Sequence, residues 1–329
     1  MEFVDFNQSH IAMALKIAKD NYEKERQQVS ELPENVTLPD LTHFAENGLG
    51  VTAIQDGQVL GFICPYLPRE DAFGTTMVRG TFVPMNAHGI ATHIAEEDRG
   101  RIYSKLYQAT AAKLIKRGIR SHAIALYTHD QSGARSFFYN GFGLRCIDLI
   151  RSIDVIPEDK TLKIEDQHKV EYVELFRDEW VLLLDQHNGL ISHLANSPSF
   201  MMFTPLDEAA LYQQTSEDVR YFAAKVNARC VAYIKLSDRG ENFATEVDEM
   251  MNICGAYCET EYRGSGLYHN LLCYVMKKLQ SEGYRLLGVD CESFNPTARG
   301  FWLKYFKEYT HSVVRRIDEK AVDEAMKEQ

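Results

Sequence analysis

The sequence predicts an α+β fold in which a mixed sheet is flanked by helices, and it predicts this module twice in tandem. Each half of the chain alternates β-rich runs with amphipathic helical patterns. The two halves also align at an offset of 165 residues, close to half of the 329 in the chain. Because this length exceeds one typical compact domain, duplication of one module accounts for both observations.

The repeat is clearest in one helix and in the elements after it. Residues 102–107 (IYSKLY) resemble residues 267–272 (LYHNLL), and Gly118 and Gly283 each end the helical pattern. The alignment continues without a gap through the next strand and helix, which a chance match at one motif would not. The pairs that the offset brings together there are Asp130 with Asn295 and Phe137 with Trp302.

The elements of the first half follow from local patterns. Helical patterns cover residues 10–28 and 41–47, and two β-rich runs within 51–63 flank the pair Asp56-Gly57. Such a pair between β-rich runs predicts a hairpin, because both residues tolerate positive φ.

The second half repeats this order, with its hairpin at residues 219–236. Each half then continues with strand, helix, strand, helix and a last strand, which indicates mixed α+β modules and not a doubly wound sheet. The polar stretch 157–170, which begins with a proline, predicts a linker. The predicted domains are therefore 1–156 and 171–329.

Composition and charge exclude several classes of protein. Hydrophobic residues make up 45% of the chain and charged residues 25%, so it can bury a core. A formal net charge of −11 argues against nucleic-acid and membrane partners. We expect a cytoplasmic protein, since no apolar run approaches the roughly 18 residues of a membrane span and the first residues show no signal-peptide pattern.

Cysteine usage predicts neither disulfides nor a metal cofactor. The seven cysteines are an odd number and include no CxxC pair, so a zinc site lacks its spacing. Cys254 and Cys258 lie four residues apart in an apolar run. We interpret them as small buried hydrophobes of a strand.

One motif of the second half has chemical meaning. An apolar run at 250–258 predicts a strand, and the segment Arg263–Leu267 (RGSGL) opens an amphipathic helix. A glycine-rich turn at a helix N-terminus can hold an anion, because the first N–H groups lack partners and the helix dipole is positive there. No P-loop lysine and no third glycine of a dinucleotide site follow. Taken alone, the motif favours an exposed strand-to-helix turn over an anion site.

Together with a second motif, this segment resembles the GNAT superfamily of acetyl-CoA-dependent N-acyltransferases. The family's pyrophosphate motif is Arg/Gln-x-x-Gly-x-Gly/Ala, to which Arg263–Leu267 is similar, with Tyr268 where a small residue is usual. Asn295–Ala298 (NPTA), after the next strand, resembles the family's Asn-x-x-Ala. The likeness covers most of the second half and, more faintly, the first.

The resemblance implies two tandem GNAT-like modules, with acetyl-CoA bound between two splayed strands of the second. A primary amine attacks the acetyl carbonyl directly, and the CoA thiolate leaves. Main-chain groups of Cys254 and Ala256 pair with the pantetheine arm, and Asn295 orients the cofactor from the far wall. The amides expected to hold the pyrophosphate are those of Arg263, Gly264, Ser265, Gly266 and Leu267.

This reaction needs a base for the amine and an acid for the thiolate. Glu259 and Glu292 are the candidate bases, with Glu261 and Asp290 nearby, and a structural carboxylate is the alternative for each. The family often has a tyrosine seven residues after the asparagine, where this chain has Trp302, counted here with the cofactor-binding residues. Tyr305, three residues further on, is the candidate acid, with aromatic packing as the alternative.

The first half resembles a degenerate copy. At the 165 offset, Arg99 stands in place of Gly264 and Arg101 in place of Gly266. The leading hypothesis is an N-acetyltransferase acting on a small-molecule or peptide amine in the second half. The alternatives are a non-catalytic acyl-CoA-binding sensor or scaffold, and an aminoacyl transferase, against which the negative charge argues. The acceptor amine and the oligomeric state stay open.

Overall fold

The computed structural model describes residues 1–72, 76–164, 169–216 and 218–320, together with 323 and 327. The chain divides into two compact units: unit 1 is Met1–Asp148 with Lys307–Gln329, and unit 2 is Leu149–Phe306. This division differs from the predicted domains 1–156 and 171–329. The reason is that the last strand of the chain pairs inside unit 1, while the predicted linker belongs to unit 2.

Unit 1 contains the elements that the sequence indicates, in the predicted order, and two strands that it did not indicate: one at the start and a second one between the hairpin and the next long helix. In chain order the elements are β1 (Glu2–Asp5), α1 (Ile11–Gln28), α2 (Thr42–Glu46), β2 (Val51–Gln55), β3 (Gln58–Ile63), β4 (Gly80–Val83), β5 (His88–Ile90), α3 (Glu96–Lys116), β6 (Ser121–Tyr127), α4 (Gln131–Tyr139) and β7 (Gly143–Ser152). The division between the units falls within β7.

The strands of unit 1 pair in two groups. An antiparallel sheet has the order β1-β2-β3-β5. In the other group β6 lies between β4, which is parallel to it, and the last strand of the chain, Lys307–Arg316, which is antiparallel. The predicted hairpin is confirmed: Asp56 and Gly57 have φ of 52° and 78°, as a two-residue turn with both residues left-handed requires.

Unit 2 repeats the module. Its elements are β8 (Val170–Leu175), α5 (Leu184–Ala195), α6 (Glu208–Gln214), β9 (Arg220–Val226), β10 (Arg229–Ser237), β11 (Met250–Cys258), α7 (Leu267–Ser281), β12 (Leu286–Glu292) and α8 (Pro296–Trp302), and the chain ends with β13 (Lys307–Arg316) in unit 1. β8 to β11 form an antiparallel ladder, and β12 joins β11 in parallel. The predicted fold class, a mixed sheet flanked by helices, is confirmed.

Helix α7 positions the candidate site because one face of it is anchored in the core. Leu267, Leu271, Val275 and Leu279 recur every four residues and are fully buried. The helix begins after Gly266, whose φ is +94°, and its last turn is followed by Gly283 at φ +95°. Both ends therefore use a backbone conformation that favours glycine.

Within the described residues, no helix combines the length and the apolar character needed to cross a membrane. Over the same part of the chain, no three or more His, Cys, Asp or Glu side chains are grouped as metal ligands would be.

Candidate functional site

Strands β11 and β12 separate at the position where the family resemblance implies that the ligand binds. They pair in parallel from Met250 opposite Leu286 to Ile253 opposite Val289. β11 then continues to Cys258 and β12 to Glu292, and the described residues contain no further pair between them. The last five residues of β11 therefore offer backbone groups on that side that β12 does not use.

A β-bulge lies at the point where the two strands separate. On the other side of β11, Lys235 pairs with Gly255 and Leu236 pairs with Ile253, so Cys254 is the extra residue. The sequence predicts that Cys254 and Cys258 are both buried. Cys258 is buried, but Cys254 is exposed, so the prediction is wrong for Cys254. A bulge turns its extra residue out of the regular alternation of the strand, and the sequence shows no sign of it.

The loop before α7 forms the predicted turn. Its two glycines adopt the left-handed backbone conformation that favours glycine, with φ of +77° at Gly264 and +94° at Gly266. Only some of its N–H groups are available. Those of Arg263 and Ser265 donate to the carbonyls of Thr260 (3.2 Å) and Tyr262 (3.4 Å), and that of Leu267 donates to the Ser265 hydroxyl (3.2 Å).

The remaining N–H groups at this end of α7 belong to Gly264, Gly266, Tyr268 and His269. Among the described residues none of these four donates a hydrogen bond. The set differs from the five predicted amides, because the short 3-10 turn Thr260–Tyr262 and the Ser265 side chain occupy three of them. Four unpaired donors at a helix N-terminus provide an anion-binding group.

These four residues line one cavity of unit 2, with a volume of about 530 Å³. Of the sequence-predicted residues, the cavity wall also contains Ala256, Arg263, Asn295, Trp302 and Tyr305; it does not contain Cys254, Glu259, Ser265, Leu267 or Glu292. Lys160, Arg263 and Lys304 bring three positive charges to the wall, whereas none of its described residues is a carboxylate. In a chain with a net charge of −11, this cavity is locally basic.

The far wall of the cavity is the start of α8. Asn295 is buried and caps the helix, its Oδ1 accepting from the Ala298 N–H at 3.3 Å and from the Thr297 hydroxyl at 2.8 Å. His193 of α5 lies 3.3 Å from the same oxygen. Within the described chain Nδ2 of Asn295 makes no hydrogen bond, so the side chain keeps a donor for a ligand.

Trp302 packs against the inner end of the cavity. Its ring is almost fully buried and meets Tyr268 edge-on, with ring centroids 6.2 Å apart. Phe306 contacts it in the same way at 5.5 Å. The indole therefore forms an aromatic wall, and it cannot act as an acid near neutral pH.

Tyr305 brings a hydroxyl into the same cavity. Its oxygen lies 2.8 Å from Nδ1 of His269 and accepts a hydrogen bond from Nζ of Lys160 at 3.1 Å. His269 is buried, and its Nε2 lies 2.8 Å from the carbonyl of Glu158. The candidate acid is thus part of a hydrogen-bonded chain, and is not merely a packing residue.

The two candidate bases are placed differently. Glu259 follows β11, and its carboxylate accepts from Arg229 at 2.6 and 2.9 Å and from Gln186 at 2.8 Å. This arrangement fits the structural role that was its alternative. Glu292 is half-buried at the end of β12, beyond the last residue paired with β11.

Sequence reasoning missed several residues of the cavity wall, among them Lys160, His193, His269 and Lys304. His269 could have been found, because it lies in the first turn of α7 immediately after the predicted motif. Lys160 lies in the predicted linker, and His193 lies on a helix far from either motif, so no local pattern marks them. Residues 165–168 of the predicted linker lie outside the described residues.

In unit 1, the residues at the equivalent positions form an internal ion pair. Arg99, which replaces Gly264 in the repeat, is buried and donates to Asp130 at 2.7 Å; Asp130 replaces Asn295. The guanidinium also donates to Asn21 at 3.2 Å and to the carbonyls of Ile90 and Ala91. Burial alone raises the pKa of Asp130, but the hydrogen bond and charge of Arg99 hold it below its ordinary value.

Comparison with known proteins agrees with this geometry. A sequence profile of the acetyltransferase (GNAT) family matches residues 172–306. Among solved structures, the chain is similar to a GCN5-related N-acetyltransferase from Sphaerobacter thermophilus, with 12% identity, a TM-score of 0.58 and 96% of each chain covered. No match is found among curated proteins.

Two further structures are similar over almost the whole of this chain. One is a GCN5-related glucosamine N-acetyltransferase region of a fungal multi-domain GH3 β-N-acetylglucosaminidase, with 14% identity and a TM-score of 0.51, covering 95% of this chain and 38% of that one. The other is a tandem GNAT protein from the clavulanic acid biosynthesis pathway, with 11% identity and a TM-score of 0.45, covering 97% and 99%. At such identities, a TM-score above 0.5 shows a shared fold and nothing more.

Proposed function

Residues 172–306 belong to the acetyltransferase (GNAT) family, and on that premise we propose that unit 2 transfers an acetyl group from acetyl-CoA to a primary amine. One observation carries the proposal. Four unpaired N–H groups at the start of α7 converge on a cavity with three cationic side chains and no carboxylate among its described lining residues.

The positive charge of the cavity wall supports an anionic ligand. The N-terminus of a helix attracts negative charge, and the left-handed glycines at 264 and 266 let a phosphate approach the backbone closely. A diphosphate fits this end, because it presents several acceptor oxygens to several donors at once. The amide nitrogen of Asn295 offers one more donor from the opposite wall.

The unpaired edge of β11 supports an extended arm next to the diphosphate. From Cys254 to Cys258 the strand has no partner on the side of β12 among the described residues. A ligand with amide groups, such as the pantetheine part of CoA, can add to such an edge as another strand would. Ala256, which lies on this edge and lines the cavity, meets this expectation; Cys254 lies on the edge but outside the cavity wall.

Acetyl-CoA supplies a thioester: the amine nitrogen bonds to the acetyl carbon, the carbon–sulfur bond breaks, nitrogen loses a proton and sulfur gains one. The hydroxyl of Tyr305 is hydrogen-bonded to His269 and Lys160 beside the start of α7, the end proposed for the diphosphate. The sulfur, at the other end of the pantetheine arm, therefore leaves as a thiolate and takes its proton from water. We assign the base to Glu292, which takes the amine proton through a water because it does not line the cavity. The carboxylate of Glu259 is already held by Arg229 and Gln186. Backbone N–H groups of β11 would polarise the carbonyl.

The test compares two glycines with the same backbone conformation. Gly264 and Gly283 both have positive φ, and a Cβ at either position would meet open space, so Gly264→Ala and Gly283→Ala carry the same kind of strain. Only Gly264 lines the cavity. We expect calorimetry to show CoA affinity lowered about tenfold or more by Gly264→Ala and unchanged by Gly283→Ala. Equal affinities, or no binding by the unaltered protein, would overturn the proposal.

Catalysis is tested separately by thiol release from acetyl-CoA with a panel of amines. The panel includes a polyamine, an amino acid, a peptide with a free N-terminus and glucosamine, the last because a structurally similar protein is described as a glucosamine N-acetyltransferase region. Release with one amine and not the others would identify the acceptor class. Tight CoA binding without release from any amine would favour the non-catalytic acyl-CoA sensor.

A further inference from the structure

Residues 157–163, which we call the strap, run along the first half of α7 and are held to it by side-chain and backbone contacts. The side-chain amide of Asn270 of α7 makes two hydrogen bonds with the backbone of Lys160. Its Oδ1 accepts from the Lys160 N–H at 2.7 Å, and its Nδ2 donates to the Lys160 carbonyl at 2.9 Å, as the backbone of a neighbouring strand would. The Lys163 N–H donates to the carbonyl of Ser265 at 2.9 Å. The bond between Lys163 and Ser265 lies in the loop before α7, and the pair of bonds between Asn270 and Lys160 lies in the first turn of the helix.

The other contacts of the strap continue along the same helix face. His269 bonds the carbonyl of Glu158, and the thiol of Cys273 lies 3.4 Å from the carbonyl of Pro157. A Cβ on Gly266 would lie 3.3 Å from Cβ of Lys160, so the strap and the loop before α7 are in close contact. The stretch predicted as a linker is thus a fixed part of unit 2, and it lies outside the matched family segment 172–306.

Lys160 is an exposed residue whose side chain lines the cavity. Its Nζ donates to the hydroxyl oxygen of Tyr305, and within the described chain it has no carboxylate partner. The rest of the hydrogen-bonded chain fixes the direction of each bond. The carbonyl of Glu158 only accepts, so Nε2 of His269 donates to it; Nδ1 then accepts the Tyr305 hydroxyl proton, and the Tyr305 oxygen accepts from Lys160.

Lys160, which has no carboxylate partner among the described residues, lines the same cavity as the four unpaired N–H groups, so an anion bound there can accept from both. We propose that Lys160 of the strap pairs with the diphosphate of the ligand held at the start of α7, and so contributes a specificity-determining cation from outside the family domain. This inference rests on the proposed function, since it takes CoA as the ligand. The diphosphate is preferred to the 3′-phosphate because Cβ of Lys160 lies against Gly266, at the loop proposed to hold the diphosphate.

The test measures the affinities of CoA and of dephospho-CoA, which lacks the 3′-phosphate, by calorimetry. The variants are Lys160→Gln, Lys160→Arg and the control Lys163→Gln, whose side chain is exposed on the same strap but does not line the cavity. We expect Lys160→Gln to weaken both ligands by about tenfold, with a smaller salt dependence. Lys160→Arg should keep the affinity within about threefold, and Lys163→Gln should leave it unchanged.

Three outcomes would overturn the assignment. Equal affinities of Lys160→Gln and Lys163→Gln for both ligands would remove Lys160 from the site. A loss for CoA without a loss for dephospho-CoA would assign Lys160 to the 3′-phosphate. An unaltered protein that binds neither ligand would overturn the proposed function and the inference together, whereas the first two results leave the proposed function standing.

Discussion

Replacing Asp130 with Asn tests the buried ion pair that unit 1 has where unit 2 has its anion-binding loop. The side chains of Arg99 and Asp130 are 3% and 5% exposed and meet at 2.7 Å. Removing one charge of such a pair leaves the other buried without a partner, which costs about 3–5 kcal/mol of folding stability. Asn keeps the cap that Asp130 provides to the Gly133 N–H at 2.9 Å, so the loss reports the charge and not the cap.

A double-mutant cycle separates the pair from its surroundings. Arg99→Met should cost about 3–5 kcal/mol as well, and it should raise the pKa of Asp130, because burial then acts without the opposing charge. The double variant should cost less than the two single losses together by about 2–3 kcal/mol, since neither charge is left alone. It should not return to the original stability, because Met also removes the hydrogen bonds from the guanidinium to Asn21 and to the carbonyls of Ile90 and Ala91.

Hydrogen exchange measured by mass spectrometry is the suitable assay, because it reports each unit from its own peptides. Peptides of α3 and β6 should lose protection in both single variants and regain part of it in the double variant. Strictly additive losses would refute the reasoning, since they would mean that Arg99 and Asp130 stabilise unit 1 independently.

Two further predictions concern pH and catalysis. Burial lowers the pKa values of His88, His122 and His187 to about 4, so the folded chain keeps them neutral while the unfolded chain binds protons below about pH 6.5. The free energy of unfolding should therefore be highest above pH 6.5 and fall by about 2 kcal/mol per histidine by pH 5. Thermal midpoints measured above pH 6.5 and at pH 5 test this. A His88→Gln/His122→Gln variant whose midpoint falls as much as that of the unaltered protein would contradict it. Glu259→Gln should cost about 1 kcal/mol of stability through its contact with Arg229 and leave the pH profile of kcat/KM unchanged. A shifted acid limb in this variant would return Glu259 to the role of base.

Local patterns in the sequence predicted most of the elements and the turn before α7. The hairpin at Asp56-Gly57 and the left-handed glycines at 264 and 266 follow from the backbone preferences of those residues, and the structure has them. The start of α7 follows from its apolar period and from the glycine-rich segment before it. The repeat also places Arg99 at the position of Gly264, and there the arginine is buried against Asp130.

What the sequence did not predict depends on contacts between distant residues. The pairing of β13 with β6 joins residues 310–316 to residues 121–127, and no local pattern shows which unit receives a terminal strand. The role of residues 157–163 depends on the side chain of Asn270, more than a hundred residues away. Which amides before α7 stay unpaired depends on the turn Thr260–Tyr262 and on the rotamer of Ser265, neither of which composition reveals.

The position of β13 has a consequence for synthesis on the ribosome. The strand that completes unit 1 beside β6 is translated only after all of Leu149–Phe306. At about 5–20 residues per second, the nascent β6 waits roughly ten to thirty seconds with one edge uncovered. During that interval the emerging chain has an open strand edge, where chaperones or a second nascent chain can bind before its own C-terminus arrives.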